Sequence, residues 1–123
     1  MHYMMLLNET HAELNKRADP TQAPAYWGAW NAFIGAMAQA GVIVKGDGLE
    51  PPTVATTVRV RDGKRAVQDG PFADTKEALG GYFVIDVADL DAALEWAAKA
   101  PCVHDGSVEI RPMLPPMNPP PSA

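Results

Sequence analysis

The chain holds one cysteine in 123 residues, Cys102, so no internal disulfide can staple it and folding makes no demand for an oxidising compartment. It is short of positive charge. Ten Lys and Arg stand against 15 Asp and Glu, for a formal net charge of -5. A phosphate-binding surface needs clustered Lys and Arg. Here only Arg59, Arg61, Lys64 and Arg65 come together, around one turn where solvated charge is common, so no direct nucleic-acid partner is expected. No helix-turn-helix signature is present either. No apolar run approaches the ~20 residues of a membrane-spanning helix. The opening MHYMMLLNE has a short apolar run with no basic leader or small-residue cleavage site, so neither signal peptide nor membrane anchoring is expected and the cytoplasm is the expected compartment. The three histidines, His2, His11 and His104, lie in different segments with no H-x-x-H or H-x-x-x-H spacing, which argues against a metal site. None falls on a helix stripe, so haem is not expected, and no GxGxxG or GxxxxGK[ST] loop points to a nucleotide. No cofactor is expected. Cys102 and His104 are too close in sequence to converge as nucleophile and base, and no oxyanion-hole motif accompanies them.

What is present is a globular composition, 47% hydrophobic, at the length of one domain. Residues 3–7 are continuously apolar, which suits a strand buried on both faces. Residues 9–23, with Pro20, read as a loop. The spacing of Trp27, Trp30, Ile34, Met37 and Ala38 predicts a helix over 24–40, its stripe widened by Tyr26 and Phe33. Gly28 and Gly35, seven apart, share a face open to close approach, and Gly41 is the left-handed stop. A short strand, VIVK, breaks into a Gly and Pro loop. Residues 53–60, TVATTVRV, alternate, and Asp62-Gly63 is the two-residue signal of a type I′ hairpin. That turn sets a register: Arg61 opposite Lys64, Val60 opposite Arg65, Val58 opposite Val67, Thr56 opposite Asp69. Strand 81–87 follows. Then comes a helix from Asp86 or Asp89 with Leu90, Ala93, Leu94 and Ala97 inward, Glu95 and Lys99 paired at i, i+4, and Pro101 as stop. A last strand covers 107–111 with Val108 and Ile110 inward.

The order predicts an α+β, ferredoxin-like βαββαβ fold with an extra hairpin strand and an antiparallel sheet. Two-sided apolar strands predict a homodimer with sheets face to face, a dimeric α+β barrel. The domain is expected over 1–113. The Pro-rich tail 114–123 ends a segment, 112–123, that holds six of the 12 prolines and is expected to be extended.

The stretch DGPFADTKEALGG, 69–81, is longer and chemically richer than a strand connection needs. It reads as a lid, with Pro71 fixing a turn, Asp74 capping a helical turn over ADTKEAL, and Gly80-Gly81 allowing a close backbone approach. Beneath it Asp69 would be a general base or polar anchor, with Phe72, Trp27 and Trp30 as apolar wall. The plainer reading of Asp69 is a turn carboxylate accepting backbone N–H bonds from 71–72. Lys76 and Glu77 are candidate ligand contacts against the plainer reading of solvated surface, which also holds for Glu50.

DGPFADTKEALGGYFVIDVADLDAALEWAAKAP…GSVEIRPM, with AGVIVKGDGLEPPTVATTVRVRDGK upstream, resembles the DGPF-type proteins of the YCII-related group over about residues 1–113. The resemblance implies a dimeric α+β barrel. It carries an association with genes for extracytoplasmic-function sigma factors, and hence an indirect regulatory link. Relatives with a proposed His and Asp pair suggest a small enzyme. The first helix here has no His, so that pair does not carry over, and Asp69 is the counterpart by role. Two readings follow: a dimeric module binding an unknown small molecule in a regulatory, sigma-factor-linked setting; and a small cofactor-free isomerase, lyase or monooxygenase-like enzyme using Asp69 as acid and base.

Overall fold

A computed structural model describes residues 1–70 and 75–115. Among these described residues, six strands and three α-helices are ordered β1 (His2–Thr10), α1 (His11–Asn15), α2 (Ala23–Gln39), β2 (Ile43–Gly48), β3 (Thr56–Arg61), β4 (Lys64–Asp69), β5 (Glu77–Asp86), α3 (Leu90–Ala97) and β6 (Ser107–Pro112). Four strands form an antiparallel sheet in the order β2-β5-β1-β6, which is the ferredoxin-like arrangement.

The hairpin β3–β4 has the register that Asp62-Gly63 dictates, Thr56 opposite Asp69 through Arg61 opposite Lys64. Asp62 at φ 53° and Gly63 at φ 72° are the two left-handed residues of a type I′ turn. The hairpin does not join the main sheet as an extra strand; it forms a two-stranded sheet of its own. Val58 and Val67, directly opposite one another, are 59% and 57% exposed within the single chain.

β1 alternates. Tyr3, Met5, Leu7 and Glu9 face the helices and are buried, while Met4, Leu6 and Asn8 on the other face are half-buried. The unbroken apolar run conceals this alternation because Met4 and Leu6 are apolar as well. Residues 9–23 are not a plain loop. β1 continues to Thr10, whose Oγ1 accepts from the Glu13 amide at 3.2 Å to cap α1, and Leu14 is buried. A 3-10 turn, Lys16–Ala18, follows.

α2 ends where expected, with Gly41 at φ 73°. Its buried stripe is Tyr26, Trp30, Phe33 and Met37, at spacings of 4, 3 and 4, not one centred on Trp27 and Ala38. Trp27 is 42% exposed and Ile34 half-buried against the core. The stripe is turned because Tyr26, not Trp27, has a polar partner beneath the helix. Gly28 and Gly35 have nothing near them. α3 begins with Asp89 Oδ1 accepting from the Ala92 amide at 2.9 Å. Ala93 and Ala97 are buried, but Leu90 and Leu94 are exposed, and Trp96 takes the core contact. Lys99 lies over the Trp96 ring at 4.6 Å. Val108 and Ile110 pack on the core as the alternation predicts.

β5 begins at Glu77, so Glu77 to Leu79 are strand and not part of a helical turn, and Gly80-Gly81 lie inside the strand. The Asp74 cap and the start of the lid fall outside the described residues.

Candidate functional site

The parity of β1 puts a carboxylate where the core ends. Glu9 is the fourth inward residue after Tyr3, Met5 and Leu7, and it is 3% exposed. A carboxylate so deep must be paired and hydrogen-bonded. Tyr26 from α2 donates its hydroxyl to Glu9 Oε1 at 2.6 Å, and Arg17 from the 3-10 turn donates Nη2 to Oε2 at 3.1 Å. Arg17 Nε also donates to the Tyr26 hydroxyl at 2.8 Å, Nη1 to the Leu49 carbonyl at 2.5 Å, and Nη2 to the Gly80 carbonyl at 3.1 Å. One guanidinium thus joins β1, α2, the segment after β2, and β5. It also stands over the Tyr26 and Trp27 rings at 5.4 and 5.2 Å. Burial raises the pKa of the Tyr26 phenol, and its bond to Glu9 adds to the rise, while Arg17 opposes it.

Glycines make room for this cluster. β1 and β5 change register between Leu7 and Asn8: Leu7 pairs with Gly81, Asn8 with Leu79, and Gly80 is the extra residue of a bulge. A Cβ on Gly80 would run into Glu9 Oε2 and stand 3.2 Å from Arg17 Nη2. A Cβ on Gly81 would be 2.8 Å from the Asp47 carbonyl oxygen. The close approach expected of this double glycine is therefore to Glu9, Arg17 and β2.

Beside the cluster is a cavity of about 130 Å³. Leu7, Trp27, Trp30, Ile34 and Phe83 form its apolar wall, Glu9, Arg17 and Tyr26 its polar end, and Gly46–Gly48 with Gly80 and Gly81 its glycine-rich side. A wider cleft of about 360 Å³, lined among others by Glu13, Lys16, Gln22 and Cys102, shares Glu9, Tyr26 and Trp30 with it. Burial pushes the Cys102 thiol up to about 12, the mark of a packed cysteine and not of a nucleophile.

The structure brings two of the sequence-predicted residues, Trp27 and Trp30, to the cavity. Asp69 stands elsewhere, exposed at the end of β4 opposite Thr56, and is not in the cavity wall. The register placed it on the Val58 and Val67 face as expected, but that face is not covered within the single chain, and there Asp69 is exposed. Lys76 is exposed. Glu77 is half-buried, and its Oε1 accepts from Ser107 Oγ at 2.6 Å, joining β5 to β6. Phe72 lies outside the described residues. The residues that sequence reasoning missed are Glu9, Arg17 and Tyr26. One signal was available: extending β1 by a single inward step beyond Leu7 reaches Glu9. Among the described residues no group of three or more His, Cys, Asp or Glu is arranged to hold a metal ion. No described helix is long and apolar enough to cross a membrane.

The sheet order and the helices packed on it place the chain among small α+β proteins of ferredoxin-like fold. The model of the YCII-related domain matches residues 1–116, and the chain belongs to that family. It is also similar to an uncharacterized protein of Rhizobium meliloti (strain 1021), 46% identical over 67 residues, which is 53% of this chain and 54% of that protein. The match therefore spans about half the length of each.

Proposed function

We propose that the protein is a homodimeric small-molecule-binding domain whose ligand occupies the cavity between α2 and the sheet. The observation that carries this reading is the cavity itself: apolar walls converging on a buried, mutually hydrogen-bonded Glu9, Arg17 and Tyr26. The dimer is supported by apolar surface that a single chain leaves open, namely Val54, Val58, Val60 and Val67 on and beside the hairpin. Met4 and Leu6, half-buried on the helix-free sheet face, support it too. The cytoplasm is the proposed compartment, since the one cysteine is buried and unpaired. A regulatory output, with occupancy rather than turnover as the signal, accords with the sigma-factor association that the family resemblance carries. The enzymatic alternative through Asp69 draws no support from an exposed carboxylate outside the cavity. Acid–base chemistry in the cavity would fall to Glu9 and Tyr26.

Native mass spectrometry of protein purified without refolding tests this reading. The expected result is a dimer carrying a defined small extra mass. A monomer overturns the dimer. A dimer that retains nothing and takes up nothing from a panel of small organic molecules overturns the binding function.

A further inference from the structure

We infer that the cavity selects an uncharged, ring-sized molecule bearing one hydroxyl or amide group, and discriminates against carboxylates and ammonium ions of the same size. This rests on the ligand-binding reading above and names the chemical class of the ligand.

Size comes first. A dry apolar cavity of about 150 Å³ accepts benzene, and the space here, a half-open pocket of about 130 Å³ with a polar end, is of that order. Its wall is ring-rich: the Trp30 and Phe83 rings lie 6.4 Å apart and tilted by 40°, which offers aromatic faces and edges to a flat guest.

Charge comes second. Glu9 and Arg17 are in contact at 3.1 Å with side chains 3% and 15% exposed, so the polar end is an internally neutralised pair. A buried ion without a counter-charge is costly. A carboxylate entering here would meet Glu9, and an ammonium would meet Arg17. Two of the four aromatic rings of the wall, Tyr26 and Trp27, already have a cation over them, Arg17. The other acid of the wall, Asp47, accepts the Tyr82 hydroxyl at 2.6 Å.

Hydrogen-bonding capacity comes third. A guanidinium has five N–H groups. Arg17 uses Nε–H, one Nη1–H, and Nη2 toward both Glu9 and Gly80, which leaves one Nη1–H without a partner among the described residues. The Glu9 oxygens retain lone pairs after accepting from Tyr26 and Arg17. One spare donor on Arg17 and one acceptor on Glu9 match a single neutral hydroxyl or amide.

The test uses the indole N–H signals of the three tryptophans in proton–nitrogen NMR spectra of the whole protein, with phenol, benzoate and benzylammonium as probes at neutral pH. Trp27 and Trp30 line the cavity and Trp96 does not. Phenol is expected to shift the Trp27 and Trp30 signals saturably and leave Trp96 in place, with both ions weaker by roughly tenfold or more. An ion that moves the same two signals as strongly as phenol overturns the neutral class and leaves the ligand-binding reading standing. No movement with any probe at millimolar concentration overturns both. Glu9→Gln supplies a second reading: it leaves the Arg17 charge unbalanced, so benzoate should gain on phenol by roughly tenfold. An unchanged ratio overturns the charge-balance argument. If that variant does not fold, the three-probe comparison on the unaltered protein decides.

Discussion

Gly80 and Glu9 occupy one volume: the space that a Cβ on Gly80 would take is filled by the Glu9 carboxylate oxygen Oε2. The bulge in β5 and the buried acid of β1 are two halves of one device. Arg17 closes it by donating from Nη2 to both the Glu9 carboxylate and the Gly80 carbonyl.

Gly80→Ala must therefore displace Glu9 or distort the bulge. It should destabilise the protein by about 1–3 kcal/mol, the usual cost of overpacking. Gly28→Ala is the matched comparison. Gly28 is inside α2 with nothing near it, so alanine should stabilise by about 0.5–1 kcal/mol through helix propensity. Urea unfolding of the two variants checks both signs. A Gly80→Ala protein as stable as the parent would remove the steric account of the double glycine.

The buried ion pair should be strongly coupled. Arg17→Met leaves Glu9 charged and without its cation, at a cost of about 3–5 kcal/mol. Adding Glu9→Gln removes the stranded charge, so the double variant should lose less than the two single losses summed, with a coupling of about 0.5–3 kcal/mol. Unfolding midpoints over the four proteins of the cycle measure it, and strict additivity would mean that the pair does not act as a unit.

Tyr26 should register in the alkaline limb of stability. Its phenol has a raised pKa in the folded protein, so the neutral form is held while the unfolded chain ionises near the ordinary tyrosine value of ~10. The stability that this contributes is full below about pH 10 and is lost as pH rises through the range above. Between about pH 9 and about pH 11 the Tyr26→Phe protein should lose less stability than the parent. Equal losses in the two proteins would show that Tyr26 ionises as freely folded as unfolded.

Much of the fold was legible because its signals are local. Asp62-Gly63 dictated a two-residue turn and with it every pairing of β3 with β4. Gly41 ended α2, and Asp89 began α3. The strand and helix order pointed to the ferredoxin-like sheet. The candidate site was legible only in its apolar half, Trp27 and Trp30. Asp69 drew the chemistry to itself because it stood in the motif and on the right face of its hairpin. Nothing in the hairpin's own sequence says whether that face meets the sheet or solvent.

The amino-acid sequence by itself determined the hairpin turn and its register, the stop of α2, the start of α3 and the family, since the local signals depend on the dihedral preferences and hydrogen-bonding groups of residues adjacent in the chain. Only the tertiary structure decided which face of α2 is inward, where the hairpin stands, and that Glu9, Arg17 and Tyr26 meet. Burial is a property of what lies across from a residue. Glu9 became the buried acid because the other elements supplied a hydroxyl, a guanidinium and a glycine without a Cβ at the one place where its carboxylate ends.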